Sequence, residues 1–74
     1  MDIFIAICLD GDGEDTILAI HSSLSKLEEV LYNITGKGFK CTIYETKFDP
    51  EKGIYLDSDG RFPFKRRCIK IFKH

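Results

Sequence analysis

The stretch Thr16–Gly38 reads TILAIHSSLSKLEEVLYNITGKG: an apolar run, a serine cluster, one amphipathic segment and a glycine-bearing stop. Within it, Leu24, Leu27, Leu31 and Ile34 are spaced by three or four residues, with Val30 beside them. That spacing lays one apolar stripe along a 3.6-residue helix. Lys26, Glu28, Glu29 and Asn33 fall mainly off the stripe. Ser23 is the expected N-cap, because its hydroxyl can accept from a free amide of the first turn. Ser22 and Ser25 are the alternatives, and Ser25 has Glu28 three residues on, as in a capping box. Glu28 and Glu29 are then expected near the positive end of the helix dipole, with Lys37 near the negative end. Gly36 or Gly38 is expected to supply the left-handed residue that ends the helix. No other segment has this periodicity, so the remaining apolar runs must build the surface that the helix covers.

Those runs read as strands. Residues 3–9, IFIAICL, are apolar without a break, short and rich in β-branched side chains. A strand of that kind is buried on both faces, which places it centrally in a sheet. A one-sided sheet covered by a second copy of the chain would also satisfy it. DGDGED, residues 10–15, is a hairpin loop leading into the strand TILAIH, residues 16–21. FKCTIYETKF, residues 39–48, alternates Phe39, Cys41 and Ile43 with Lys40, Thr42 and Tyr44, the pattern of a half-buried strand. DPEKG, residues 49–53, is a turn in which Pro50 presets φ and Gly53 permits a positive one. IYL at 54–56 is a short strand and DSDG at 57–60 a turn. Pro63 confines RFPF to a strand edge, start or bulge. KRRCIKIFKH supplies the last strand, with Cys68, Lys70 and Phe72 alternating with Ile69, Ile71 and Lys73. The predicted order is β-β-α-β-β-β, an α+β fold: a mostly antiparallel sheet with one helix packed across a face.

Length and composition set limits. The chain has 74 residues, 43% hydrophobic and 31% charged, which suits one small ordered domain spanning 1–74 and excludes a disordered chain. Chains of this size bury only about 60% of their unfolded surface, so a homodimer is expected. No apolar run approaches the roughly 20 residues of a membrane span. The start MDIFIAICLDGD lacks a basic signal-peptide region and turns acidic at once. A cytoplasmic location without membrane association is therefore expected. Cys8, Cys41 and Cys68 are odd in number, widely spaced and set in strand-like runs, so they read as reduced, buried thiols. A zinc site joining them to His21 or His74 would lack any ligand pair at zinc-motif spacing.

Charge is strongly segregated. Residues 1–20 carry Asp2, Asp10, Asp12, Glu14 and Asp15 and no base. Residues 61–74 carry Arg61, Lys65, Arg66, Arg67, Lys70 and Lys73 and no acid. These six cations are the candidate binding residues. Three readings compete: pairing with the acidic loop, a charged patch on a protein partner, or a nucleic acid or nucleotide held by the cations and stacked on Phe62, Phe64 and Phe72. A sequence pI of about 6.1 weighs against the last, since dedicated nucleic-acid binders are basic.

No catalytic pattern is present. There is no phosphate-cradling glycine loop, GxSxG or HExxH. Gly11 and Gly13 sit in an acidic loop ahead of a strand, where the dinucleotide fingerprint needs a helix. Asp10, Asp12 and Glu14 alternate as in a calcium loop, but Asp15 stands where the EF-hand needs glycine and His21 where it needs glutamate. Asp57 and Asp59 lie in a turn that favours aspartate anyway, and His21 reads as an edge or capping residue. The sequence therefore predicts a protein that is not an enzyme, with no cofactor, metal or catalytic residue.

Residues 3–49, from IFIAICL through the helix to GFKCTIYETKFD, resemble a loose group of very small phage and bacterial proteins. These share a hairpin, a serine- or threonine-capped helix and a strand ending in a YE-type motif, here Tyr44-Glu45. The cationic end lies outside the resemblance, and no active site is carried over. The resemblance implies an accessory phage or mobile-element protein acting in the host cytoplasm. Such proteins bind and block a host protein, defence systems included.

Overall fold

A computed structural model describes residues 1–9, 15–53 and 66–74, with the backbone alone for Leu9 and Asp15. The elements run β1 (Asp2–Leu9), β2 (Asp15–His21), α1 (Leu24–Ile34), β3 (Lys40–Lys47) and β4 (Arg67–Lys73). The four strands form one antiparallel sheet in the order β2-β1-β3-β4, and α1 packs across one face. The α+β architecture read from the sequence is thus present. The expected short strand at 54–56 and the segment around Pro63 lie outside the described residues, as does the loop at 10–14.

β1 sits at the centre and is buried on both sides. Phe4, Ala6 and Cys8 face the helix and pack into or against a cluster of Ala6, Leu27, Leu31, Cys41, Ile43 and Phe72. Ile3, Ile5 and Ile7 face the other way and form a second cluster with Ile17, Tyr44 and Phe48. Ile5 is 0% exposed and Ile7 1% exposed within a single chain. The unbroken apolar run therefore needs no second copy of the chain to cover its outer face.

β2 and β4, the edges among the described strands, each carry a bulge. Opposite β1, Ala6 pairs with Ala19 and Ile7 with Ile17, which leaves Leu18 as an extra residue. Opposite β3, Ile43 pairs with Lys70 and Tyr44 with Cys68, which leaves Ile69 extra. A bulge sets two consecutive residues against one partner and breaks the two-residue alternation. Leu18 and Ala19 accordingly both pack on the helix-side cluster. Ile69 joins that cluster too, whereas Cys68 is exposed. The expectation of three buried thiols thus holds for Cys41, half holds for Cys8, and fails for Cys68.

α1 is capped as its serines suggest and ends differently from the expectation. Ser23 is the N-cap: its Oγ accepts from the Lys26 amide at 3.4 Å and lies 3.2 Å from Ser25 Oγ. Such a cap contributes about 1 kcal/mol. With Leu24 as the first helical residue, Glu28 and Glu29 fall beyond the first turn, so neither is placed to complement the dipole. Lys37 likewise lies outside the last turn. The C-terminus is closed by Thr35 in an extended conformation, not by a glycine. Its amide and hydroxyl both donate to the Leu31 carbonyl, at 3.0 and 2.6 Å. Gly38, with φ of 87°, instead serves the following turn, closed by Phe39 N–H donating to Gly36 C=O at 3.2 Å. Of the predicted stripe, Leu27 and Leu31 are fully buried, while Ile34 is 57% exposed. The helix rests on its middle two turns.

The turn at 49–53 forms as its sequence predicts. Asp49 Oδ1 accepts from the Glu51 amide at 2.9 Å, and Asp49 C=O accepts from Gly53 N–H at 2.8 Å. Gly53 takes φ of 69° to make the second bond.

Leu31→Ala is expected to destabilise the protein by about 2–5 kcal/mol, because it empties the seat between helix and sheet. Urea unfolding measures this, and Ile34→Ala should cost far less if the helix is seated on Leu27 and Leu31.

Candidate functional site

Of the six candidate cations, Arg61 and Lys65 lie outside the described residues. The other four lie on or beside β4, which is an edge among the described strands. The register divides them between the two faces of the sheet. Arg67 pairs across the ladder with Glu45, and Lys70 with Ile43, on the helix side. Lys73 pairs with Lys40, on the other side together with Thr42 and Ile71. Arg66 precedes the strand, and its guanidinium carbon sits 4.6 Å from the centre of the Tyr44 ring on that same side. A cation held over a tyrosine face in this way gains about 0.5–1 kcal/mol when exposed.

The helix-side cations have carboxylate partners. Arg67 Nη2 donates to Glu45 Oε1 at 3.1 Å, and Lys70 Nζ donates to Glu28 Oε1 at 2.7 Å. Each pair is open to water: the Arg67 side chain is 74% exposed and that of Lys70 43%. Pairs of this kind contribute about 0–1 kcal/mol, so a partner's acid can replace the internal one at little cost. Glu28, removed from the helix dipole by the true start of α1, thereby acquires a different role as a bridge from helix to edge strand. The acidic loop residues Asp10, Asp12 and Glu14 lie outside the described residues.

Apolar groups accompany the charges. Ile71 is 57% exposed in the middle of β4, and Tyr32 is 52% exposed on the helix above its end. Tyr32 meets Phe72 edge to face, with ring centres 4.9 Å apart, and His74 at 5.1 Å. The His74 amide in turn donates to Phe39 C=O at 2.8 Å, which ties the chain's last residue to the start of β3. Among the described strands β4 thus stands at an edge, with cations on both sides and an aromatic shoulder.

His21 has a structural partner. Its Nδ1 accepts from the Ser23 amide at 3.0 Å, just ahead of α1, so the ring helps fix the entry to the helix. Among the described residues no three His, Cys, Asp or Glu side chains converge as metal ligands. No described helix is long and apolar enough to cross a membrane.

Burial raises the Cys41 thiol above its ordinary value of 9.0, and the Cys8 thiol adds to the shift. The folded state therefore favours the neutral thiol. That contribution to stability is complete below pH 9.0 and is lost as the pH climbs from there through the raised folded value. The urea midpoint of the native protein is expected to fall more steeply with alkaline pH than that of Cys41→Ala. Parallel slopes would contradict the assignment.

Compared with protein-family models, with curated proteins and with solved structures, the chain matches none of them.

Proposed function

We propose that this chain is a non-enzymatic binding protein whose β4 edge docks an extended, acidic segment of a partner protein. The observation that carries this reading is the division of Arg66, Arg67, Lys70 and Lys73 between both faces of one edge strand. An added strand presents alternate side chains to the two faces, so acids along it meet cations on both. A nucleic-acid backbone would instead call for cations gathered in a continuous groove. Exposed Ile71 and Tyr32 supply apolar area beside the charges. Pairing of β4 with a second β4 would bring lysines together, which disfavours self-association along this edge. The homodimer expected from the small core would use another surface.

In the setting implied by the resemblance to small phage proteins, the occupied partner is a host protein, and occupation blocks its action. Steering by the cations would speed encounter and make binding sensitive to salt.

The test is capture from bacterial lysate with the native protein and with the double variant Ile71→Glu and Lys73→Glu, in low and in high salt. A stoichiometric protein retained by the native chain at low salt, and lost in the variant and in high salt, is the expected result. Retention of the same protein by the variant would overturn the β4 assignment. Nucleic acid in place of protein in the eluate would overturn the protein-partner reading in favour of a nucleic-acid or nucleotide binder.

A further inference from the structure

The register of the sheet brings together two thiols that the β4 edge does not use. β1 and β3 pair antiparallel without a break, Ile5 with Tyr44, Ala6 with Ile43 and Ile7 with Thr42. The paired run ends at Ile7 and Thr42; the same register carried one step further would set Cys8 of β1 opposite Cys41 of β3, and both positions lie within their strands. Directly opposed residues carry Cβ atoms about 4.5–5.5 Å apart. A disulfide needs about 3.5–4.5 Å between the same atoms, so closure asks for an approach of about 1 Å near the end of the strand pair.

Other observations agree with this placement. Both cysteines belong to the helix side of the sheet: Cys41 is part of the buried cluster and Cys8 packs against it. Both residues also border an open groove of about 200 Å³, whose other lining residues, Ile7, Lys40, Thr42 and Ile71, belong to the opposite face of the sheet. A negative charge on Cys8 opposes ionisation of Cys41, the electrostatic mark of close thiols. All three cysteines of the chain are thiols in this structure.

We propose that Cys8 and Cys41 are a redox-active dithiol that hydrogen peroxide converts to an intramolecular disulfide. Cys8, half-buried where Cys41 is buried, reacts first. Its thiolate attacks one peroxide oxygen, the S–O bond forms, the O–O bond breaks, and the departing hydroxide takes up a proton to become water. The Cys41 sulfur then attacks the Cys8 sulfur. The S–S bond forms, the S–O bond breaks, and hydroxide leaves with the Cys41 proton as a second water. Two thiols are oxidised by two electrons, and one peroxide is reduced to two waters. A thiol reductant reverses the bond. Because Cys41 shares its cluster with Leu27, Leu31 and Phe72, the oxidation state is felt in the floor on which α1 rests.

Cys68 is exposed and opposes Tyr44 on the other face, so Cys68→Ser leaves the dithiol isolated for study. This variant, treated with hydrogen peroxide, alkylated and digested without reductant, is expected to yield a peptide pair linking Cys8 to Cys41. The intact chain should carry no bond to a second chain and be lighter by two hydrogens, and dithiothreitol should restore alkylation at both positions. Full alkylation of both cysteines after peroxide, a sulfinic acid on Cys8 beside an alkylated Cys41, or bonds only between chains would each overturn the proposal. Phenylarsine oxide, which bridges neighbouring thiols, gives an independent reading. One arsenical per chain is expected in Cys68→Ser and none when Cys8→Ser is added. Absence of binding to Cys68→Ser would overturn the proximity on which the proposal stands.

Discussion

Burial of β1 on both faces is the constraint from which the rest of the architecture follows. Ile5 and Ile7 close off one side of the sheet while Ala6 admits the helix on the other. Alanine at that position matters because it leaves room for Leu27 and Leu31 to reach the strand layer, where a larger side chain would hold them off. A chain this small has one chance to build a core, and nearly all of it passes through this strand. Its neighbours on either side, β2 and β3, then have their backbones saturated on the inner edge only where β1 supplies the partners. β4 is carried further out, on β3, and stands at the edge of the described strands.

That position gives β4 a different chemical character from β1. Its side chains alternate between two faces, and its charges do the same, so one contiguous basic run in the sequence becomes two small cationic borders in space. Glu28 and Glu45 hold the helix-side border in place, while Tyr44 holds Arg66 on the other. These contacts are individually weak. On the proposed reading, their effect is to keep flexible side chains near a docking arrangement while leaving them exchangeable for a partner's acids. Function on that proposed reading lies in surface placement, and the core serves to hold the bulged edge strand in position.

Much of this was legible in the residues. The uninterrupted apolar run at 3–9 announces a strand covered on both sides, and the 3-4 spacing after Ser23 announces the helix and its cap. DPEKG carries its turn in its own chemistry, because Asp49 and Gly53 act within five residues. Features set by long-range register were not legible. A bulge at Ile69 reverses the alternation that Cys68 and Ile69 suggest, and nothing local encodes it. The closing of α1 by Thr35 was hidden behind two glycines that look like better stops. The grouping of Arg67 with Lys70 on the helix side depends on the bulge at Ile69, and the proposed approach of Cys8 to Cys41 depends on the β1–β3 register at the end of its paired run. Strand order and register are collective properties of the core, so residues that meet only through them leave no motif behind.

Amide hydrogen exchange read residue by residue tests the central claim most directly. The account predicts that the amides of Ile5, Ala6 and Ile7 are the slowest in the chain and exchange only on global unfolding, with those of β4 opening at lower free energy. Exchange of the β1 amides as fast as those of β4 would contradict a fold built on a doubly buried central strand.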